Sequence, residues 1–86
     1  MSKPNADDFR SFLKAHLRKA ERHGARSVDI TSGDLHRELG GYPARDHAMP
    51  TCCNVMRQEM RGRDVVIAGP PSGLGATLTI RYYLPR

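Results

Sequence analysis

Two cysteines stand side by side at positions 52 and 53, inside HAMPTCCNVMRQEM (residues 47–60), and His47 lies five residues before the first of them. Thiolate and imidazole are the usual ligands of structural zinc, and a thiolate is also a nucleophile and a redox centre. Zinc needs four ligands converging as a tetrahedron. On a helix the side chains of Cys52 and Cys53 diverge by about 100°. His36 and His47 would have to close the site from elsewhere, and no CxxC or HxxxH spacing accompanies them. A redox role meets the same obstacle, because a vicinal disulfide distorts a helix, although a helix N-terminus would lower the Cys52 thiol pKa. The other use of these sulfurs is packing. At about 100° per residue Cys53, Met56 and Met60 share one face, flanked by Cys52 and Val55 and preceded by Met49. Cysteine and methionine then fill a core as small or adaptable apolar groups. The expectation is an apolar seam with no metal and no cofactor.

The opposite side of the same segment carries Thr51, Asn54, Gln58 and Arg61 at i, i+3, i+7 and i+10, with Arg57 alongside. Asn and Gln pair bidentately with adenine edges, Arg with guanine, and Thr with a thymine methyl or a phosphate. Any solvated helix face contains such residues. The neighbourhood argues for more, since Arg57, Arg61 and Arg63 crowd the helix end and Arg81 comes from a later strand. Across the chain 14 Lys and Arg stand against 9 Asp and Glu, a net charge of +5, and eleven of the cations are arginine. Guanidinium forks suit phosphate oxygens and guanine edges better than ammonium groups do. An excess of this kind is the electrostatic footprint of nucleic acid, or simply a basic solvated surface.

Catalysis finds no constellation. The carboxylates Asp29, Asp34, Glu38, Asp46, Glu59 and Asp64 have no repeating spacing, and no serine sits in a motif with a base and an oxyanion hole. GPPSGLG (residues 69–75) shares only glycine content with nucleotide-binding loops, lacking GxxxxGK[ST]. In that loop Ser72 and backbone N–H groups could meet phosphates, and Leu74 could act as a wedge or a partner contact. The chain is read as a non-enzyme with no small-molecule ligand.

The elements that must position these groups follow from periodicity. Phe9, Phe12, Leu13, Leu17 and Ala20 make a helix over 6–23, stopped by Gly24. SVDIT (27–31) alternates as a strand and runs into a two-turn helix, with Thr31 and Asp34 spaced as a capping box. Gly and Pro mark 40–48 as loop, and Pro50 opens a helix over 50–61 that ends at Gly62. Residues 64–68 and 76–84 form a hairpin, with Leu78, Ile80, Tyr82 and Leu84 on one face.

Eighty-six residues, 38% hydrophobic and 27% charged, fit one domain over 1–86, with residues 1–5 as a flexible tail. No apolar run approaches the roughly 18 residues of a membrane span, and no secretory leader is visible. Adjacent cysteines cannot staple a loop, so a reducing cytoplasmic setting is expected.

The order helix, strand, helix, helix, strand, strand, from Phe9 to Leu84, resembles the winged helix-turn-helix family. That resemblance implies an α+β fold whose third helix enters the DNA major groove and whose hairpin, the wing, touches flanking backbone. One departure is the connection of about nine residues between the second and third helices, where a compact helix-turn-helix uses three or four. The expected function is a small DNA-binding protein, a bacterial transcriptional regulator or an accessory factor of a mobile element or defence system. Double-stranded DNA would be its partner, and a homodimer or a larger protein a further one. Thr51, Asn54, Gln58 and Arg61 would approach base edges, while Arg57, Arg63, Arg81 and Ser72 would hold phosphates. The alternative is a winged-helix adaptor that binds protein, and a third reading, RNA binding, has only the charge and Tyr82 with Tyr83 behind it.

Overall fold

A computed structural model describes residues 4–40, 48–69 and 75–86. The first element, α1 (Ala6–Arg22), buries Phe9, Leu13 and Leu17, spaced by four along one stripe. Its start is fixed by a reciprocal capping box in which the Asn5 side chain accepts from the Asp8 N–H and the Asp8 carboxylate accepts from the Asn5 N–H. Asn5 thus serves as the N-cap of the helix. Gly24, at φ +81°, turns the chain out of the helix in a conformation that costs glycine nothing.

The chain continues through β1 (Ser27–Thr31), α2 (Ser32–Leu39), α3 (Met49–Gln58), β2 (Val65–Ala68) and β3 (Thr79–Tyr83). The fold is α+β, with three helices and a three-stranded antiparallel sheet in the order β1-β3-β2. In the central strand Ile80 and Tyr82, with Leu78 and Leu84 just outside its two ends, turn inward and are at most 6% exposed, as their alternation predicts. They meet Phe9, Leu13 and Leu17 of α1, Leu35 of α2 and the sulfur-rich side of α3 in one core. No helix among the described residues is long and apolar enough to cross a membrane.

Apart from element ends that shift by one residue, three features differ from the sequence reading. The capping box expected from Thr31 and Asp34 does not form. The first free N–H groups of α2 are taken by backbone instead, Ser32 donating to Leu78 C=O at 2.8 Å and Gly33 to Ala76 C=O at 2.9 Å. Thr31 Oγ1 is left to pair with Thr79 Oγ1 across the sheet at 2.9 Å, and Asp34 bonds Arg37 at 2.9 Å. The same bonds draw residues 76–78 onto α2 and shorten β3, which begins at Thr79 rather than at 76. Finally, α3 ends at Gln58, not at Arg61. At this end the Met56 C=O accepts from the Tyr82 hydroxyl at 2.8 Å, which fixes the last turn against the sheet. Met60 N–H bonds Arg57 C=O.

Gly33 is the tightest point of this arrangement. A Cβ built there would lie 2.8 Å from Ala76 O, closer than atoms tolerate, and a tight 3.1 Å from Ala76 Cβ. Gly33→Ala is therefore expected to destabilise by about 1–3 kcal/mol despite alanine's better helix propensity. Urea denaturation measures this, and a variant as stable as the parent would contradict the close approach of α2 to residues 76–78.

Candidate nucleic-acid interface

Two short helices, of 8 and 10 residues, are marginal alone and need tertiary partners. α3 receives them along its whole inner side. At its start the Ala48 N–H, a terminal donor with no partner inside the helix, donates to His36 Nε2 at 2.9 Å. Since Nε2 accepts, the ring proton sits on Nδ1, which faces Gly40 C=O at 3.0 Å. The imidazole is fully buried and meets the edge of Phe9 at a centroid distance of 4.9 Å. His36, weighed in the sequence as a zinc ligand, instead ties the end of α2 to the beginning of α3. His47 lies outside the described residues.

One turn further on, Cys52 and Cys53 are both fully buried and free. The Cys52 thiol points at Ser32 C=O (3.7 Å) and the Cys53 thiol at Gly75 C=O (3.4 Å). Ser32 Oγ donates to the same Gly75 carbonyl. Met49, Val55 and Met56 complete this side, at most 3% exposed. Burial, with some contribution from the neighbouring thiol, pushes Cys52 from an ordinary 9.0 up to about 12. The lowered pKa expected from the helix N-terminus is thereby reversed, because desolvation of a thiolate outweighs the dipole. Cys53 is raised too, chiefly by burial, against hydrogen bonds from its surroundings that pull the other way. Among the described residues no three His, Cys, Asp or Glu side chains converge as a metal site would require.

The C-terminal end of α3 is held by the last strand and the residues that follow it. Besides Tyr82 on Met56 C=O, Arg86 donates to Glu59 C=O. Arg86 also pairs with Asp64 at 2.6 Å, in a position where only 13% of its side chain and 1% of that of Asp64 are exposed. Burial alone would raise the Asp64 pKa. The N–H groups of Tyr83 and Arg61, at 2.8 Å each, and the Arg86 guanidinium overcome it and hold the carboxyl below its usual range. Asp64 thus closes the turn between α3 and β2, a role no local pattern announced.

With its inner side fixed, α3 turns Asn54, Arg57 and Gln58 to the exterior, with Thr51 half-buried at the margin. The Gln58 amide oxygen accepts from Arg10 of α1 at 2.9 Å, which holds that side chain in place. Arg10 also reaches Glu59 at 3.4 Å. Arg61 is exposed but lies beyond the helix, in the turn toward Gly62. The sheet cations are not brought to this face. Arg81 alternates with the inward Ile80 and Tyr82, so it projects from the other side of the sheet, where Asp29 binds it bidentately at 2.8 and 3.2 Å. Arg63 stacks over the Tyr83 ring at 4.6 Å. Ser72 lies outside the described residues, as does Leu74.

Comparison of the chain with family models, curated proteins and solved structures finds no match.

The raised thiol fixes a pH dependence. Folded Cys52 keeps its proton up to about 12, whereas the unfolded chain releases it near 9.0. The stabilisation is complete below that lower value and is lost as pH rises toward the upper one. Tyr82, raised by burial, acts in the same direction. Urea midpoints are expected to fall steadily above about pH 9. Replacing both cysteines with serine should cost about 1–3 kcal/mol at neutral pH and make the alkaline decline shallower. Midpoints independent of pH between 8 and 11 would contradict the buried thiols.

Proposed function

We propose that the chain is a winged helix-turn-helix DNA-binding protein that presents α3 to the major groove and the β2–β3 hairpin as its wing. The element order α1-β1-α2-α3-β2-β3 and the strand order β1-β3-β2 support this reading. The observation that carries it is the division of α3 into an immobilised apolar side and an exposed side bearing Asn54, Arg57 and Gln58. A reading head needs both features, because side chains that discriminate bases must be held by a rigid element. The net charge of +5 supplies the attraction to phosphate.

Within this reading the side chains divide by position. Asn54 and Gln58 are the base readers, and Arg57 and Thr51 flank them. Arg61, past the helix end, suits a phosphate rather than the base edge first expected for it. Arg63 and Arg81 are engaged by Tyr83 and Asp29, so they would meet phosphates only where the wing bends over the duplex. A single module of this kind buries roughly 600–1,000 Å² of its surface on DNA. Regulation of transcription, or service to a mobile element or defence system, is the biological setting proposed for it.

A protein-binding adaptor on the same scaffold is the second reading. It is favoured by Val65 and Ile67 of β2, large apolar side chains left 43% and 42% exposed.

The two separate in a duplex titration at two salt concentrations. DNA binding requires affinity that falls steeply with salt, and an adaptor shows no binding even at low salt. Asn54→Ala should relax preference at one base position by about 1–3 kcal/mol. Arg61→Ala should weaken all sequences alike and reduce the salt slope by about one. Equal loss on all sequences from Asn54→Ala would remove α3 from the groove.

A further inference from the structure

β1 lies at one edge of the sheet, and among the described residues no strand pairs on its far side. The direction of its backbone groups follows from its two ends. Leu84 N–H donates to Arg26 C=O and Ser32 N–H to Leu78 C=O, so residues 26, 28, 30 and 32 turn their backbone groups toward β3. Those of Ser27 and Asp29, with the Thr31 N–H, then point outward along the free edge. The edge is not masked by proline or lysine, the residues that commonly blunt such strands.

A groove of about 260 Å³ runs beside this edge, between β1, the middle of α1 and the outer side of α2. Its floor is apolar, formed by Val28, Ile30 and Leu35, and its rim carries Asp29, Asp34 and Glu38. In a chain with five more cations than anions, no lysine or arginine is among the residues lining it. Each of the three is paired through an exposed contact, Asp29 with Arg81 at 2.8 Å across the sheet, Asp34 with Arg37 at 2.9 Å and Glu38 with His16 at 2.8 Å. Such exposed pairs are weak and exchange readily for another cation. None of the residues of α3 lines the groove.

We propose that this groove is a docking site for an extended basic segment of a partner protein, added as a fourth strand against β1. The main-chain groups of Ser27, Asp29 and Thr31 would hydrogen-bond the segment. Alternate side chains would divide between the apolar floor and the acidic rim, the usual division of labour in strand addition. A second copy of this chain is a poor occupant, since antiparallel pairing of two β1 strands about Asp29 sets the two carboxylates against each other. Nucleic acid is excluded by the rim charge. The site is distinct from α3, so the inference does not depend on the nucleic-acid reading.

The test uses the whole protein and a blocked peptide alternating arginine and valine over about nine residues, long enough to span β1. Saturable binding is expected, with amide chemical shifts moving in β1 and α2 and slowed exchange at the Asp29 amide. Methylating the peptide nitrogens that face β1 should weaken binding by about tenfold or more, as should Asp34→Asn combined with Glu38→Gln. Val65→Ser with Ile67→Ser, on the other edge strand, should leave it unchanged. Absence of saturable binding, indifference to N-methylation, or shifts confined to α3 or β2 would each overturn the proposal. A glutamate-for-valine, glutamate-for-arginine peptide that bound equally well would do the same.

Discussion

The imidazole of His36 joins two helices that are too short to stand by themselves, and the placement of the rest of α3 depends on that junction. A buried backbone N–H without a partner costs roughly what a lost hydrogen bond costs, about 1–3 kcal/mol. Ala48 would carry such a group at the head of α3, and Nε2 of His36 meets it. The ring can do so only with its proton on Nδ1, where Gly40 C=O receives it. One side chain therefore brackets the connection between α2 and α3 at both ends. That bracket accounts for a connection about nine residues long coexisting with a defined position for the helix that follows.

α1 caps itself with Asn5 and Asp8, but beyond it the same physical problem recurs at the ends of α2, α3 and β2 and is solved there by distant groups. The first N–H groups of α2 reach carbonyls of residues 76 and 78, and Gly33 permits the approach. The last carbonyls of α3 receive the Tyr82 hydroxyl and the Arg86 guanidinium. The Tyr83 N–H that faces β2 is met by the Asp64 side chain. In a chain of 86 residues, where the core is small, these contacts contribute by preventing losses. They also make the elements interdependent, since the turn after α3 and the final residues hold one another.

Those dependencies mark what sequence alone could convey. The stripe of Phe9, Leu13 and Leu17, and the alternation from Leu78 to Leu84, are local periodicities enforced by burial, and both are visible in the string of residues. The inward position of Cys52 and Cys53 follows from the same reasoning, because adjacent residues on a helix can both border one seam. Thr31 misled, because a capping spacing is only one way to satisfy an N-terminus, and a nearby strand supplied carbonyls first. The overlong third helix has a similar origin, since nothing within residues 50–61 reveals that the Arg61 N–H will be taken by an Asp64 carboxylate fixed by Tyr83 and Arg86. His36 and Asp64 were unreadable because each joins a near group to a far one, His36 reaching Ala48 12 positions on and Asp64 reaching Arg86 22 positions on. The distribution of charge was likewise hidden. Arginines that count equally in a total divide into those held by Asp29, Asp64 or Tyr83 and those, such as Arg61, left facing solvent.

The buried imidazole accepts at Nε2 and so fixes the head of α3, which in turn directs Asn54 and Gln58 outward. Long-range proton–nitrogen correlation in the ring of His36 reports the tautomer directly. The geometry requires the proton on Nδ1 and an unprotonated, hydrogen-bonded Nε2. A proton found on Nε2 would leave the Ala48 amide without its acceptor and contradict the junction on which the arrangement of α3 is built.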